Sequence, residues 1–148
     1  MKRILAYVAG GIALLGIWAL SGEIGRFIGR SAIEGYNQGK QEGAVERAVK
    51  HAVHELRNQL PMQVDEATTL LRVASAGKAL IYHYRLSSAK RDMDLTHFHA
   101  IMASDLISNV CQHEDMRYMM EMGANYRYVY MSADGLLIDE ITIRASDC

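Results

Sequence analysis

Hydrophobic positions recur along this chain with three different spacings, and each predicts a different kind of element. Residues 4–20, ILAYVAGGIALLGIWAL, are apolar without interruption and carry no charge. Residues 22–43, GEIGRFIGRSAIEGYNQGKQEG, place mostly small side chains at alternating steps of three and four: Gly22, Gly25, Gly29, Ala32, Tyr36, Gly39 and Gly43. The helical step then continues with larger side chains at Val45, Val49, Ala52, Val53, Leu56 and Leu60, the pattern of an amphipathic helix. We therefore expect helix from Glu23 to Asn58, ended by Pro61, the only proline.

Beyond Pro61 the period shortens to two. PMQVDEA reads as extended chain, and Thr69, Leu71 and Val73 alternate as a strand. Ala76-Gly77-Lys78 is a turn signal, and LIYHYRL, Leu80 to Leu86, is the clearest strand, rich in β-branched and aromatic residues. These two strands should pair as a hairpin. Asp94 or Thr96 can cap a helix running to about Cys111, with Phe98, Ile101, Met102, Leu106 and Val110 as its apolar stripe. Asp115 to Met122 is a second, short helix with Gly123 at its end. Tyr126 to Met131 and Leu136 to Ile143 are strands around the turn Ala133-Asp134-Gly135. The expected class is α+β: an N-terminal transmembrane helix continuing into a long helix, then a small, mainly antiparallel sheet packed with two helices. The chain divides into a signal anchor (1–21), a glycine-striped and amphipathic helix (22–60) and an exported α+β domain (61–148).

Charge and length refine this picture. The 148 residues allow one modest domain with an appendage. Lys2 and Arg3 precede the apolar block, which is longer than the ~7–15 residues of a cleaved signal's core. A retained anchor is therefore favoured over cleavage near Ala19-Leu20-Ser21. The positive-inside rule holds the N-terminus in the cytoplasm, a bias weakened by Arg26, Arg30 and Lys40 on the other flank. The domain then faces the periplasm of a bacterial inner membrane protein. All 17 acidic residues and 14 of the 16 basic ones lie beyond residue 21, a balance of −3. No basic patch stands out, which argues against a nucleic-acid partner. The two cysteines, Cys111 and Cys148, form an even set in a small exported domain and read as one disulfide.

The glycines need an explanation, because each costs a helix ~1 kcal/mol relative to alanine. Close approach of another backbone to a bare helix face is the usual compensation. The stripe Gly22, Gly25, Gly29, Ala32, Tyr36, Gly39 and Gly43 is thus a candidate helix-packing interface, to a second copy or a larger membrane complex. Candidate chemistry is sparse. His97 and His99 sit in the first turn of a helix, where side chains two apart diverge. His51 and His54 share a helix face but have no third ligand nearby in sequence. No phosphate loop of the GxxxxGK[ST] kind is present. Asp65-Glu66 and Asp139-Glu140 are neighbours that a strand would point opposite ways. No catalytic residue, metal site, cofactor or small-molecule ligand is expected. Tyr82 and Tyr84 share one strand face, as do Tyr126, Tyr128 and Tyr130 on another. They are a candidate recognition surface, or alternatively cross-strand pairs that stabilise the sheet.

An N-terminal anchor, the repeats Gly25-Arg26 and Gly29-Arg30, the segment LPMQVDEATTL from Leu60 to Leu70, Tyr82-His83-Tyr84, and the pair Cys111 and Cys148 occur together. In this the chain resembles small bacterial bitopic membrane proteins with a C-terminal exported domain. The resemblance implies one membrane span and transfers no activity. The function expected is that of a membrane-anchored accessory or interaction protein. A cleaved periplasmic binding module and a cell-envelope enzyme are the alternatives.

Overall fold

The computed structural model describes residues 43–148. Three helices, α1 (Ala44–Arg57), α2 (Leu95–Gln112) and α3 (Glu114–Glu121), accompany five strands. These are β1 (Met62–Asp65), β2 (Thr68–Ala76), β3 (Ala79–Leu86), β4 (Asn125–Met131) and β5 (Leu137–Ile143). They form one sheet in sequence order. Three of the four pairings are antiparallel, and one, β3 with β4, is parallel. Parallel neighbours require a crossover of a dozen or more residues, and α2 and α3 supply it. The expectation of a mainly antiparallel α+β sheet is met, with β1 as an additional edge strand where only extended chain was read.

α1 buries Val45, Val49, Ala52, Val53 and Leu56, the face its spacing marks, against β2 and β3. This helix is part of the folded body and shares one core cluster with the sheet. It does not continue a helix begun at Glu23. Gly43 stands at its N-cap with φ of 92°, a left-handed conformation that interrupts a right-handed helix and suits a residue without Cβ. The last member of the glycine stripe therefore lies at a break and not on a helix face. The other six members, Gly22, Gly25, Gly29, Ala32, Tyr36 and Gly39, lie outside the described residues, as does the apolar block 4–20. Among the described residues no helix is long and apolar enough to cross a membrane.

The β2–β3 hairpin closes through Gly77-Lys78 with Ala76 opposite Ala79, and Gly77 takes a positive φ of 56°. A two-residue loop with glycine first matches the twist of the flanking strands. Between Leu70 and Arg72 the register slips by one, leaving Leu71 as an exposed bulge residue and returning Val73 to the inner face. α2 starts at Asp94, whose Oδ1 accepts from the His97 N–H at 3.0 Å, an N-cap bond.

All three helices lie on one face of the sheet. Their apolar stripes share a single core cluster with Leu70, Val73, Leu80, Leu86, Ile141 and Ile143. Two tethers hold α2 to the last strand and the terminus. His99 Nδ1 meets Asp139 Oδ2 of β5 at 2.7 Å. Cys111, in the last turn of α2, is disulfide-bonded to Cys148 across a Cα–Cα distance of 5.4 Å. The bond expected from the cysteine count is present.

Candidate interaction face

The sequence pointed to the tyrosines as a possible recognition surface, and the structure places them inside. Tyr82, Tyr84, Tyr126, Tyr128 and Tyr130 are 1–7% exposed. The parallel register sets Tyr82 beside Tyr128 and Tyr84 beside Tyr130, with ring centroids 5.1 and 5.2 Å apart. Phe98 of α2 closes the ladder edge-on against Tyr130 at 5.3 Å. Such offset and edge contacts suit the ring quadrupoles, at ~0.5–1.5 kcal/mol per pair beyond burial. Alternation shows that these rings share faces. It does not show which face the helices cover, and here it is the tyrosine face.

Burial pushes the phenols of all five up, Tyr82 and Tyr130 well above their ordinary value. Tyr126 OH donates to the Met116 carbonyl at 3.5 Å, whereas the hydroxyls of Tyr82 and Tyr130 are buried without a partner among the described residues. A buried unpaired hydroxyl costs ~1–3 kcal/mol. Tyr82→Phe and Tyr130→Phe are therefore expected to keep or raise stability, by up to ~1 kcal/mol, in urea unfolding of the full chain. A loss beyond ~1 kcal/mol in either would show a hydrogen bond worth keeping.

The helix side offers little chemistry. His51 and His54 lie exposed on α1, His97 is exposed, and His99 is engaged by Asp139. Asp65 Oδ1 accepts from the Ala67 N–H at 2.7 Å. Asp105 on α2 is pushed up by burial. No group of three metal-ligating side chains occurs among the described residues.

The opposite face of the sheet is covered by no described element. Its side chains are the alternates of the tyrosines, and the register sets them in rows. One row pairs Ile81 with Arg127, the next His83 with Val129, and the third Arg85 with Met131. Arg72 of β2 stands beside His83, and Glu140 of β5 beside Val129. Arg72 Nη2 donates to His83 Nε2 at 2.9 Å. Burial first, then the Arg72 charge, lowers the His83 pKa against a smaller opposing pull from Glu140, so this imidazole is a neutral acceptor at pH 7. Arg127 Nε lies 3.4 Å from Glu140 Oε1, and Arg85 has no ion-pair partner among the described residues. Val129, at 8% exposure, forms an apolar centre between these polar groups. Three arginines against one glutamate leave this face positive. None of these residues stands out by type. Their only signal is that they alternate with the tyrosines.

Both sheet edges are blunted. β1 is four residues long and irregular between Gln63 and Asp65. On β5 the Leu137 carbonyl accepts from Lys90 Nζ at 2.8 Å, and the Glu140 N–H donates to Asp139 Oδ1 at 2.8 Å. Side chains that occupy edge groups in this way discourage a further strand from pairing.

Solved structures with this fold include EpsS, the pilotin of the Vibrio vulnificus type II secretion system. It matches with a TM-score of 0.61 at 19% identity, over 70% of this chain and 91% of EpsS. AspS, the type II secretion pilotin of Vibrio cholerae, matches with a TM-score of 0.56 at 17% identity, over 70% of this chain and 92% of AspS. The chain shares its fold with these two pilotins. A Pseudomonas aeruginosa protein described as secreted has a TM-score of 0.63 at 16% identity, over 70% of this chain and 92% of its own. At these identities the likeness is one of fold. No protein-family model matches the sequence, and no curated protein matches it.

Proposed function

We propose that this chain is a binding module of the bacterial cell envelope, a pilotin-like accessory protein that holds a protein partner on the open face of its sheet. The observation that carries this reading is the contrast between the two faces. One buries its tyrosines under three helices, while the other sets an apolar centre among arginines with nothing described above it. The fold shared with two secretion-system pilotins over nine-tenths of their length supports an accessory role over a catalytic one. In this reading the apolar block 4–20 is a single anchor in the inner membrane, with residues 43–148 in the periplasm. The stripe from Gly22 to Gly39 is a packing seam with a neighbouring helix. The N-terminal mass of the purified protein separates the anchored form from one released near Ser21.

The test is site-specific photo-cross-linking in cells. A benzophenone amino acid at Ile81 or Met131, on the open face, is expected to trap one discrete protein. The same group at His54 or Arg117, exposed on α1 and α3, is expected to trap none. Adducts confined to the helix positions would sink the reading.

A further inference from the structure

We infer that the domain seats the end carrying Leu95, Leu136 and Leu137 in the surface of a lipid bilayer. This contact presupposes the anchored reading above and adds which part of residues 43–148 meets the membrane. Among the described residues four large hydrophobic side chains are exposed, and three of them are these leucines, at 37, 51 and 48%. They come from different elements. Leu136 and Leu137 follow the turn between β4 and β5, and Leu95 opens α2. The loop 87–94 that leads into α2 is bonded to that turn at three points. The Ala133 N–H donates to the Ser88 carbonyl at 2.9 Å, the Lys90 N–H to Asp134 Oδ1 at 3.2 Å, and Lys90 Nζ to the Leu137 carbonyl at 2.8 Å. One turn into α2, His99 meets Asp139 of β5. The three leucines therefore stand together at the end of the sheet where β3 and β4 finish and β5 begins.

Apolar side chains exposed together mark a protein or membrane contact, and three observations favour the membrane. The turn satisfies its own backbone. The Ser132 N–H donates to the Leu136 carbonyl at 2.8 Å, the Gly135 N–H to the Ser132 carbonyl at 3.0 Å, and the Leu136 N–H to Ser132 Oγ at 3.0 Å. Such a turn can leave water without stranding these groups. The leucines also stand on a hairpin turn and a helix start, around which lipid can close, whereas a protein would have to supply a matching pocket. Finally, the chain brings its own bilayer. Residues 21–42 join the apolar block 4–20 to the domain and span at most ~75 Å, so an anchored domain meets the membrane at high effective concentration. A few half-exposed leucines then suffice. At this end Lys90 and Arg91 are offset by Asp92, Asp94 and Asp134. The contact is therefore apolar and does not depend on anionic headgroups.

The test uses the full-length chain in phosphatidylcholine nanodiscs whose acyl chains carry nitroxide quenchers. A dansyl amino acid is placed at Leu95, Leu136 or Leu137, or at Lys78 as a control. Lys78 is exposed in the β2–β3 turn, at the other end of the sheet. Severalfold quenching is expected at the three leucine positions and little at Lys78, unchanged by high salt. The double substitution Leu136→Asp with Leu137→Asp is expected to abolish quenching at Leu95. Both side chains are half-exposed, and an unchanged far-ultraviolet spectrum of the variant keeps the result interpretable. Nanodisc-bound protein with the leucine positions quenched no more than Lys78 would overturn the inference and leave the anchor standing. Quenching that salt removes would overturn it too, by making headgroup charge the cause. So would a blue shift at Leu136 without quenching, which would mean that a second copy or another protein covers the tip. Protein that does not co-elute with the nanodiscs would overturn the anchored reading and this contact together.

Discussion

Replacing Cys148 with alanine is expected to lower the unfolding free energy by ~4 kcal/mol, the largest loss any single exposed position should give. The disulfide closes a loop with a sequence separation of 37. In the chain-entropy account a cross-link over that span stabilises by ~4 kcal/mol, because it removes open conformations from the unfolded chain. For a domain of this size the midpoint of thermal unfolding should fall by ~15 °C or more. The fold gives a reason to expect most of that value. Beyond Ile143 the chain is exposed, and its hydrogen bonds are local: the Arg144 N–H to Asp147 Oδ2 and the Cys148 N–H to the Ala145 carbonyl. The disulfide is the covalent tether from this end to α2. Circular dichroism melts of Cys111→Ala, Cys148→Ala and the double variant would check it. The three should lose about the same amount, since each removes the one cross-link. A double variant within ~1 kcal/mol of the parent would contradict the loop-closure account.

That bond was legible from an even pair of cysteines, and other parts of the fold were legible for equally local reasons. The stripe from Val45 to Leu56 buries the face it marks. Gly77 closes the hairpin it announces, and Asp94 caps α2 through its own carboxylate. These depend on residues within a few positions of one another. What was not legible depends on parts of the chain that are far apart. Whether Tyr82 and Tyr128 point to solvent or inward is decided by where the crossover helices land, and no periodicity encodes that. The parallel register that stacks Tyr84 on Tyr130 comes from the same crossover. Reading the helix through Gly43 failed for another reason. A glycine at helical spacing fits a packed stripe and a left-handed cap equally well, and only the backbone angle tells them apart. The open face was missed because Arg72, Arg85 and Arg127 look like ordinary solvated strand residues until the register gathers them around Val129.

The buried ladder should also make the fold collapse abruptly in alkali. In the unfolded chain each tyrosine ionises near its ordinary pKa of 10.0. In the fold, burial pushes all five phenols above that value, with neighbouring tyrosines adding to the shift for Tyr82, Tyr128 and Tyr130. The folded chain therefore keeps protons that the unfolded chain has released. Stability from this source is complete below pH 10 and is lost as the pH climbs from there toward the folded values. Each tyrosine removes ~1.4 kcal/mol per pH unit across that window. Five together remove roughly 7 kcal/mol per unit, comparable with the whole ~5–15 kcal/mol of a typical domain. Unfolding is therefore expected as a steep step one to two units above pH 10, with the five phenols ionising together inside it. The share of the ultraviolet phenolate absorbance that belongs to these five of the eight tyrosines and the near-ultraviolet circular dichroism, followed in one titration, should move in the same step. Tyr82→Phe removes one of the five groups and one unpaired buried hydroxyl, so its midpoint should shift to higher pH. Gradual ionisation of all eight tyrosines around pH 10 with the dichroism intact would mean the five rings reach water in the native state. A Tyr82→Phe midpoint identical to the parent's would mean that the ladder does not set the alkaline limit.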